Sequence, residues 1–208
     1  MKITKYDDKI DWFEARRARI TGSSLKDIIV KRGTADKKGY YQLIADRLTA
    51  GEDKENAMAR GERLEPVAMN LFIESMAEEG WPAEDWVTDL VIWEREENQY
   101  IALSPDGYHK DLEQAVEVKC LNSADHIKAY LDQEVPKDYE DQATQYFVVN
   151  EKLDILHFVM YDPRLIVADF FVLTVKRDKI KVAEYLKQEQ NVLARVEAQV
   201  IKLTANLF

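Results

Sequence analysis

Two short stretches, Ser104-Pro105-Asp106-Gly107 and Val116-Glu117-Val118-Lys119-Cys120, offer two carboxylates and an amine to a single site. A strand turns alternate side chains to opposite faces. From Ala115 to Cys120, Val116 and Val118 therefore face a core, leaving Glu117 and Lys119 side by side on the other face. Ser-Pro-Asp-Gly reads as a turn, with Pro presetting one dihedral and Gly tolerating positive φ. With Tyr100-Ile101-Ala102-Leu103 as the antiparallel neighbour of the 115–120 strand, Asp106 falls near the end of the pair that carries Glu117. Two carboxylates on neighbouring strand ends can hold a divalent cation, and Mg²⁺ with several retained waters is the ordinary occupant. The Val118 carbonyl is placed to complete its shell. An ammonium at Lys119 can orient a metal-activated water or stabilise charge on a phosphoryl oxygen. The same residues also read as a turn followed by a strand with a solvent-side Glu/Lys pair, because both patterns are short and common.

The elements around this stretch follow from periodicity and punctuation. Asp11 to Arg19 reads as a short basic helix with aromatic anchors at Trp12 and Phe13. Ile20-Thr21-Gly22-Ser23-Ser24 reads as the start of a second helix, with Ser23 or Ser24 as N-cap and Asp27 placed for a capping box. Free amides at such an end can take a phosphate, with Arg16 and Arg19 close by; a plain cap with solvated arginines is the other reading. After a basic loop over 31–39, a helix over 40–48 buries Tyr41, Ile44 and Leu48. A helix over 63–77 buries Leu64, Val67, Ala68, Leu71, Phe72 and Met76, with Pro66 acceptable only in its first turn. Glu65 either points from that helix into the site or serves the helix dipole.

Trp86 to Trp93 and Tyr100 to Leu103 read as strands around a Glu-rich turn. Helices over 123–132 and 139–149 follow the 115–120 strand, and the second sets Gln142, Gln145 and Tyr146 on one side. Strands over 154–161 and 167–175 join through Asp162-Pro163-Arg164, and His157 sits in the sheet as a satisfied side chain. A final helix from about 179 to 205 packs on the domain or on another subunit. The layout is one α/β domain over 1–208, a mixed central sheet flanked by helices: a basic helical part at 1–50, a core at about 61–177 and the packing helix. It has neither a phosphate loop nor a nucleophile elbow.

Composition narrows the class. The chain has 208 residues, 46% hydrophobic and 33% charged, as in an ordinary soluble protein, and no apolar run approaches the ~20 residues that span a bilayer. With no secretory signal, a cytoplasmic location is expected. The single Cys120 excludes an internal disulfide and any four-cysteine iron–sulfur or zinc site from one chain. The net charge of −10 argues against indiscriminate nucleic-acid affinity, but it is uneven. Residues 1–50 hold 12 Lys and Arg against 7 Asp and Glu, and the remainder holds 17 against 32; the positive end is where a phosphate backbone could bind, and it reads equally as an ordinary solvated surface.

Taken in order, Trp12-x-x-x-Arg16, Ile20-Thr21-Gly22-Ser23, Gly61-x-x-x-Glu65, Ser104-Pro105-Asp106-Gly107, Glu117-x-Lys119-Cys120, Gln142 and Tyr161-Asp162-Pro163-Arg164 resemble the phage lambda exonuclease and YqaJ-type viral recombinase family. That family lies within the restriction-endonuclease-like PD-(D/E)xK nucleases. The resemblance implies 5′-to-3′ degradation of one strand of linear double-stranded DNA, leaving 3′ single-stranded tails for recombination. It implies metal-binding carboxylates at Asp106 and Glu117, a catalytic lysine at Lys119, and a helical acid at Glu65 near the second of two Mg²⁺ ions, with Mn²⁺ as a substitute. It gives Arg16, Ser23, Ser104 and Gln142 to the 5′-terminal phosphate. It further implies a ring-shaped homotrimer threaded by DNA, a single-strand annealing protein as partner, and a phage or prophage gene in a bacterial host. Gln145 is not carried over, because Gln142-Ala143-Thr144-Gln145 is wider than the family's glutamine spacing. Rival readings are an endonuclease of the same fold and a non-catalytic DNA-end-binding module; intact Asp106, Glu117 and Lys119 speak against the second.

Overall fold

The computed structural model of the chain describes residues 35–49 and 56–204. The helix expected over Asp11 to Arg19 and the cap at Ser23 or Ser24, with Arg16, lie outside the described residues. In chain order the elements are α1 (Lys38–Leu48), α2 (Ala57–Glu78), β1 (Trp86–Val87), β2 (Trp93–Arg95), β3 (Asn98–Leu103), β4 (Gly107–His109), β5 (Gln114–Lys119), α3 (Ser123–Asp132), α4 (Glu140–Val149), β6 (Ile155–Tyr161), β7 (Phe170–Lys176) and α5 (Lys179–Thr204). The α/β class is as the sequence predicts. A five-stranded sheet runs in the order β1-β4-β5-β6-β7, with β1–β4 and β4–β5 antiparallel, and β2 and β3 form a separate antiparallel hairpin.

Contacts divide the described residues into two compact units, the first comprising those up to Pro66, Lys119–Glu134 and Met160–Phe171, the second Val67–Val118, Val135–Val159 and those from Val172 onward. In the first unit, Tyr41 and Ala45 of α1 pack with Ala124 and Ile127 of α3 and with Leu165. Asp162, fully buried, accepts hydrogen bonds from Ser123 Oγ at 2.5 Å and Arg164 Nε at 2.6 Å. Burial alone would raise its pKa, but these donors more than offset that and lower it.

In the second unit helices cover both faces of the sheet. Phe72 of α2 packs edge-on against Trp86, at 4.9 Å between ring centroids, and against His157. His157 is buried in β6 and shares a 2.7 Å hydrogen bond with Gln114 of β5, the satisfied position the sequence predicts. By alternation Gln114 and Val116 share that face, so Glu117 points to the other. There α4 packs, its Tyr146 hydroxyl reaching Glu117. The first half of α5 closes a cluster in which Val182, Tyr185, Leu186 and Leu193 pack on Ile101, Val148 and Val149.

Five expectations are corrected. The antiparallel partner of β5 is β4, the strand after the Ser-Pro-Asp-Gly turn, with Gly107 opposite Val116; Tyr100 to Leu103 instead pairs with β2. A three-residue strand carries too little periodicity to be seen in sequence. Its shortness also limits β1 to Trp86 and Val87, the two residues with partners in β4, so the expected strand over 86–93 is not continuous. Gly107 is not in the left-handed region: a Cβ there would lie 2.9 Å from Met69 Cε and 3.5 Å from the Val87 carbonyl, so the glycine permits close packing on α2 rather than a turn. Finally, α2 begins at Ala57, because Asn56 caps it by accepting from the Ala59 amide at 2.9 Å. Pro66 therefore lies inside the helix, with its ring exposed. Met69 takes the buried place expected of Val67, which is exposed.

Candidate active site

The β4–β5 pairing brings the two carboxylates together by register. Since Gly107 lies opposite Val116, Asp106 comes alongside Glu117 at the end of the ladder. Asp106 Oδ2 accepts a hydrogen bond from the Val118 amide at 2.7 Å, which ties the turn to β5. Glu117 is 2% exposed. Burying a carboxylate is costly unless its lone pairs are satisfied, and α4 supplies donors to both oxygens: Gln142 Nε2 to Oε1 at 2.7 Å and the Tyr146 hydroxyl to Oε2 at 2.5 Å. Gln142 and Tyr146 are one turn apart on one helix face, the i, i+4 relation.

Tyr146 is 1% exposed. Its phenol pKa is pushed up, first by burial, then by the negative charge of Glu117 and of Asp106. Both carboxylates thus act on the same buried group. A site of two converging carboxylates beside a strand carbonyl is a set of hard oxygen donors, the set that suits Mg²⁺ or Mn²⁺. The residues present fit such an ion. Among the described residues no group of three or more His, Cys, Asp or Glu gathers as a metal cluster.

Of the residues singled out by sequence, Asp106, Glu117, Val118 and Gln142 come together in the second unit. Gln142, assigned by resemblance to a phosphate, makes its hydrogen bond to Glu117. Ser104 is exposed, and its hydroxyl donates to the Val91 carbonyl at 2.7 Å. Lys119, the last residue of β5, is half-buried, and Glu65 is exposed on α2; both belong to the first unit. Arg16 and Ser23 lie outside the described residues. Sequence reasoning left Tyr146 without a role. The available signal was its i, i+4 spacing from Gln142 on a helix whose apolar face must be buried, since a buried tyrosine hydroxyl needs a partner.

Residues 11–152 match the model of the YqaJ-like viral recombinase domain. This chain belongs to that family. The matched stretch contains the whole Asp106–Glu117–Gln142–Tyr146 constellation, while β6, β7 and α5 lie beyond it. The YqaJ-like chain also resembles a solved alkaline exonuclease, LHK-Exo from Laribacter hongkongensis, at 27% identity and a TM-score of 0.63, over 95% of this chain and 97% of that one. A structure of LHK-Exo in complex with dAMP matches at 27% identity and a TM-score of 0.62, over 96% of this chain and 100% of that one. No curated protein is similar to it in sequence. No helix among the described residues is long and apolar enough to cross a membrane.

Proposed function

We propose that this YqaJ-like protein is a Mg²⁺-dependent deoxyribonuclease that degrades one strand of linear double-stranded DNA from its 5′ end. The observation that carries the reading is the buried Glu117 carboxylate, converging with Asp106 on the α4 side of the sheet, in a chain with the fold of an alkaline exonuclease. The dAMP held by LHK-Exo supports it, because a deoxynucleoside monophosphate is the product of exonucleolytic hydrolysis.

In this reading Asp106, Glu117 and the Val118 carbonyl hold the ions, with Glu65 contributing to a second one. Bound Mg²⁺ supplies charge neutralisation at the attacking and leaving oxygens and a lowered pKa for water. Lys119 lies two residues beyond Glu117 on β5, hence on the same strand face, and orients the attacking water toward phosphorus. Arg16, Ser23 and Ser104 bind the 5′-terminal phosphate, Arg16 through charge-assisted hydrogen bonds, with Gln142 at the border between that pocket and Glu117. A ring-shaped trimer would keep so acidic a chain on DNA by topology. The 3′ tails produced would be handed to a single-strand annealing protein in the cytoplasm of a phage-bearing bacterium.

The test is digestion of linear duplex DNA with Mg²⁺, comparing 5′-phosphate with 5′-hydroxyl ends and a covalently closed circle. Stepwise release of mononucleotides from phosphorylated ends with the circle intact is the expected result. Cutting of the circle would make the protein an endonuclease; no cutting of any substrate would favour an end-binding module.

A further inference from the structure

We infer that Tyr146 and Gln142 are positioning residues that set the direction of the Glu117 carboxylate toward its metal. The inference rests on the metal-dependent reading of the Asp106–Glu117 pair. It concerns what holds that pair in place, and it gives α4 a task in the chemistry beyond covering the sheet.

A carboxylate offers about four lone-pair positions on its two oxygens. Here each oxygen accepts one hydrogen bond from α4, at 2.5 Å from the phenol and 2.7 Å from the carboxamide. Two donors on two oxygens fix the carboxylate plane. Both donors are neutral, so they orient Glu117 without cancelling the charge a cation would seek. A charged donor in either place would compete with the metal.

The buried phenol by itself does not require this arrangement. The Tyr146 hydroxyl also stands 3.2 Å from the Val116 carbonyl, a partner that would satisfy a buried phenol by itself. The Glu117 oxygen is the nearer acceptor, at 2.5 Å. The donors are held rigidly. Tyr146 packs edge-on against Trp93, with ring centroids 6.3 Å apart, and Arg177 donates to the carbonyls of Phe147 and Asn150 at the end of the same helix. Gln142 is exposed where Glu117 is not, so the pair grips the carboxylate from the interior and from the rim of the site.

Partners that orient a metal ligand typically change metal affinity or activity by 10- to 100-fold when removed. The experiment is titration of the DNA-free protein with Mn²⁺, following free Mn²⁺ by electron paramagnetic resonance, with melting temperature recorded on each sample. Tyr146→Phe is expected to weaken Mn²⁺ binding about 10- to 100-fold and Gln142→Met about 10-fold. A purely structural hydrogen bond would lower the melting temperature and leave the Mn²⁺ affinity unmoved, and that result would overturn the assignment. Should Tyr146→Phe fail to fold, Gln142→Met, altered at an exposed side chain, decides the question in the same assay. Unchanged affinity in folded variants overturns the positioning role alone, whereas a wild-type chain that binds no Mn²⁺ overturns the metal site and the positioning role together.

Discussion

Glu117 carries the site because three constraints meet on it: strand alternation points it away from Gln114 and Val116, register sets it beside Asp106, and α4 occupies both its oxygens. A buried carboxylate so held keeps one geometry. In the proposed mechanism Lys119 is the residue through which that geometry acts on water. Lys119→Ala should lower the single-turnover cleavage rate by about 10²–10³-fold, the usual cost of one preorganised electrostatic group, while DNA binding measured by fluorescence anisotropy in Ca²⁺ stays intact. A variant with wild-type rates would remove the lysine from the mechanism. For the phosphate pocket, Arg16→Ala should erase the preference for 5′-phosphorylated over 5′-hydroxyl ends without altering Mn²⁺ affinity; an equal loss on both ends would place Arg16 elsewhere.

At the scale of elements, the helices are held by their ends as much as by their faces. The α4 helix ends in a hub of carbonyls: Arg177 donates to Leu153 at 2.8 Å and Phe147 at 3.0 Å, and Arg95 reaches the Val148 carbonyl. Because a charged donor to buried carbonyls contributes about 1.5–3 kcal/mol, Arg177→Met should destabilise the protein by about 2–3 kcal/mol, read as a lower urea midpoint with unchanged slope. The C-cap of α3 presents the opposite case. Gln133 adopts a left-handed conformation, φ 54° and ψ 34°, which costs a residue with a Cβ roughly 1 kcal/mol relative to glycine. Gln133→Gly should accordingly raise the melting temperature; a drop would mean that the contact of the Gln133 side chain with the Tyr130 carbonyl matters more than the backbone.

At the scale of the whole molecule, acid is the condition that should undo the fold. Burial lowers the pKa of His157 to about 4 and also lowers that of His126, which stays neutral while hydrogen-bonded to the Ala168 carbonyl. Both folded values lie below the unfolded value near 6.5, so protonation favours the unfolded chain. The His157 contribution is complete above about pH 6.5 and is lost as pH falls toward 4, by at most about 3 kcal/mol, and His126 loses stability in the same direction below its unfolded value. Asp162, lowered by Arg164 and Ser123 against the cost of burial, adds a loss of the same sign at still lower pH. Thermal melts should be flat above pH 7 and decline below pH 6. A His157→Gln variant should lose part of that slope, and an unchanged profile would separate His157 from the acid transition.

The amino-acid sequence by itself determined the type of most elements and the nearness of two carboxylates. Apolar residues at helical spacing marked α1, α3, α4 and α5, alternation marked β5 and β6, and the period of a strand set Glu117 and Lys119 on one face of β5. These signals are local, and a local signal survives without knowledge of neighbours. Tertiary structure alone decided which strand lies against β5, because β4 is too short to show a period and pairing is a long-range choice. It decided that Gly107 serves close packing on Met69, and that Asn56 starts α2 early enough to leave Pro66 inside the helix. It also decided that Tyr146 and Gln142 meet Glu117, since the partner of a buried hydroxyl or carboxylate is set by how a helix packs across a sheet. Hydrogen bonds between residues distant in sequence leave no trace in the composition of either segment, and in this protein those bonds finish the site.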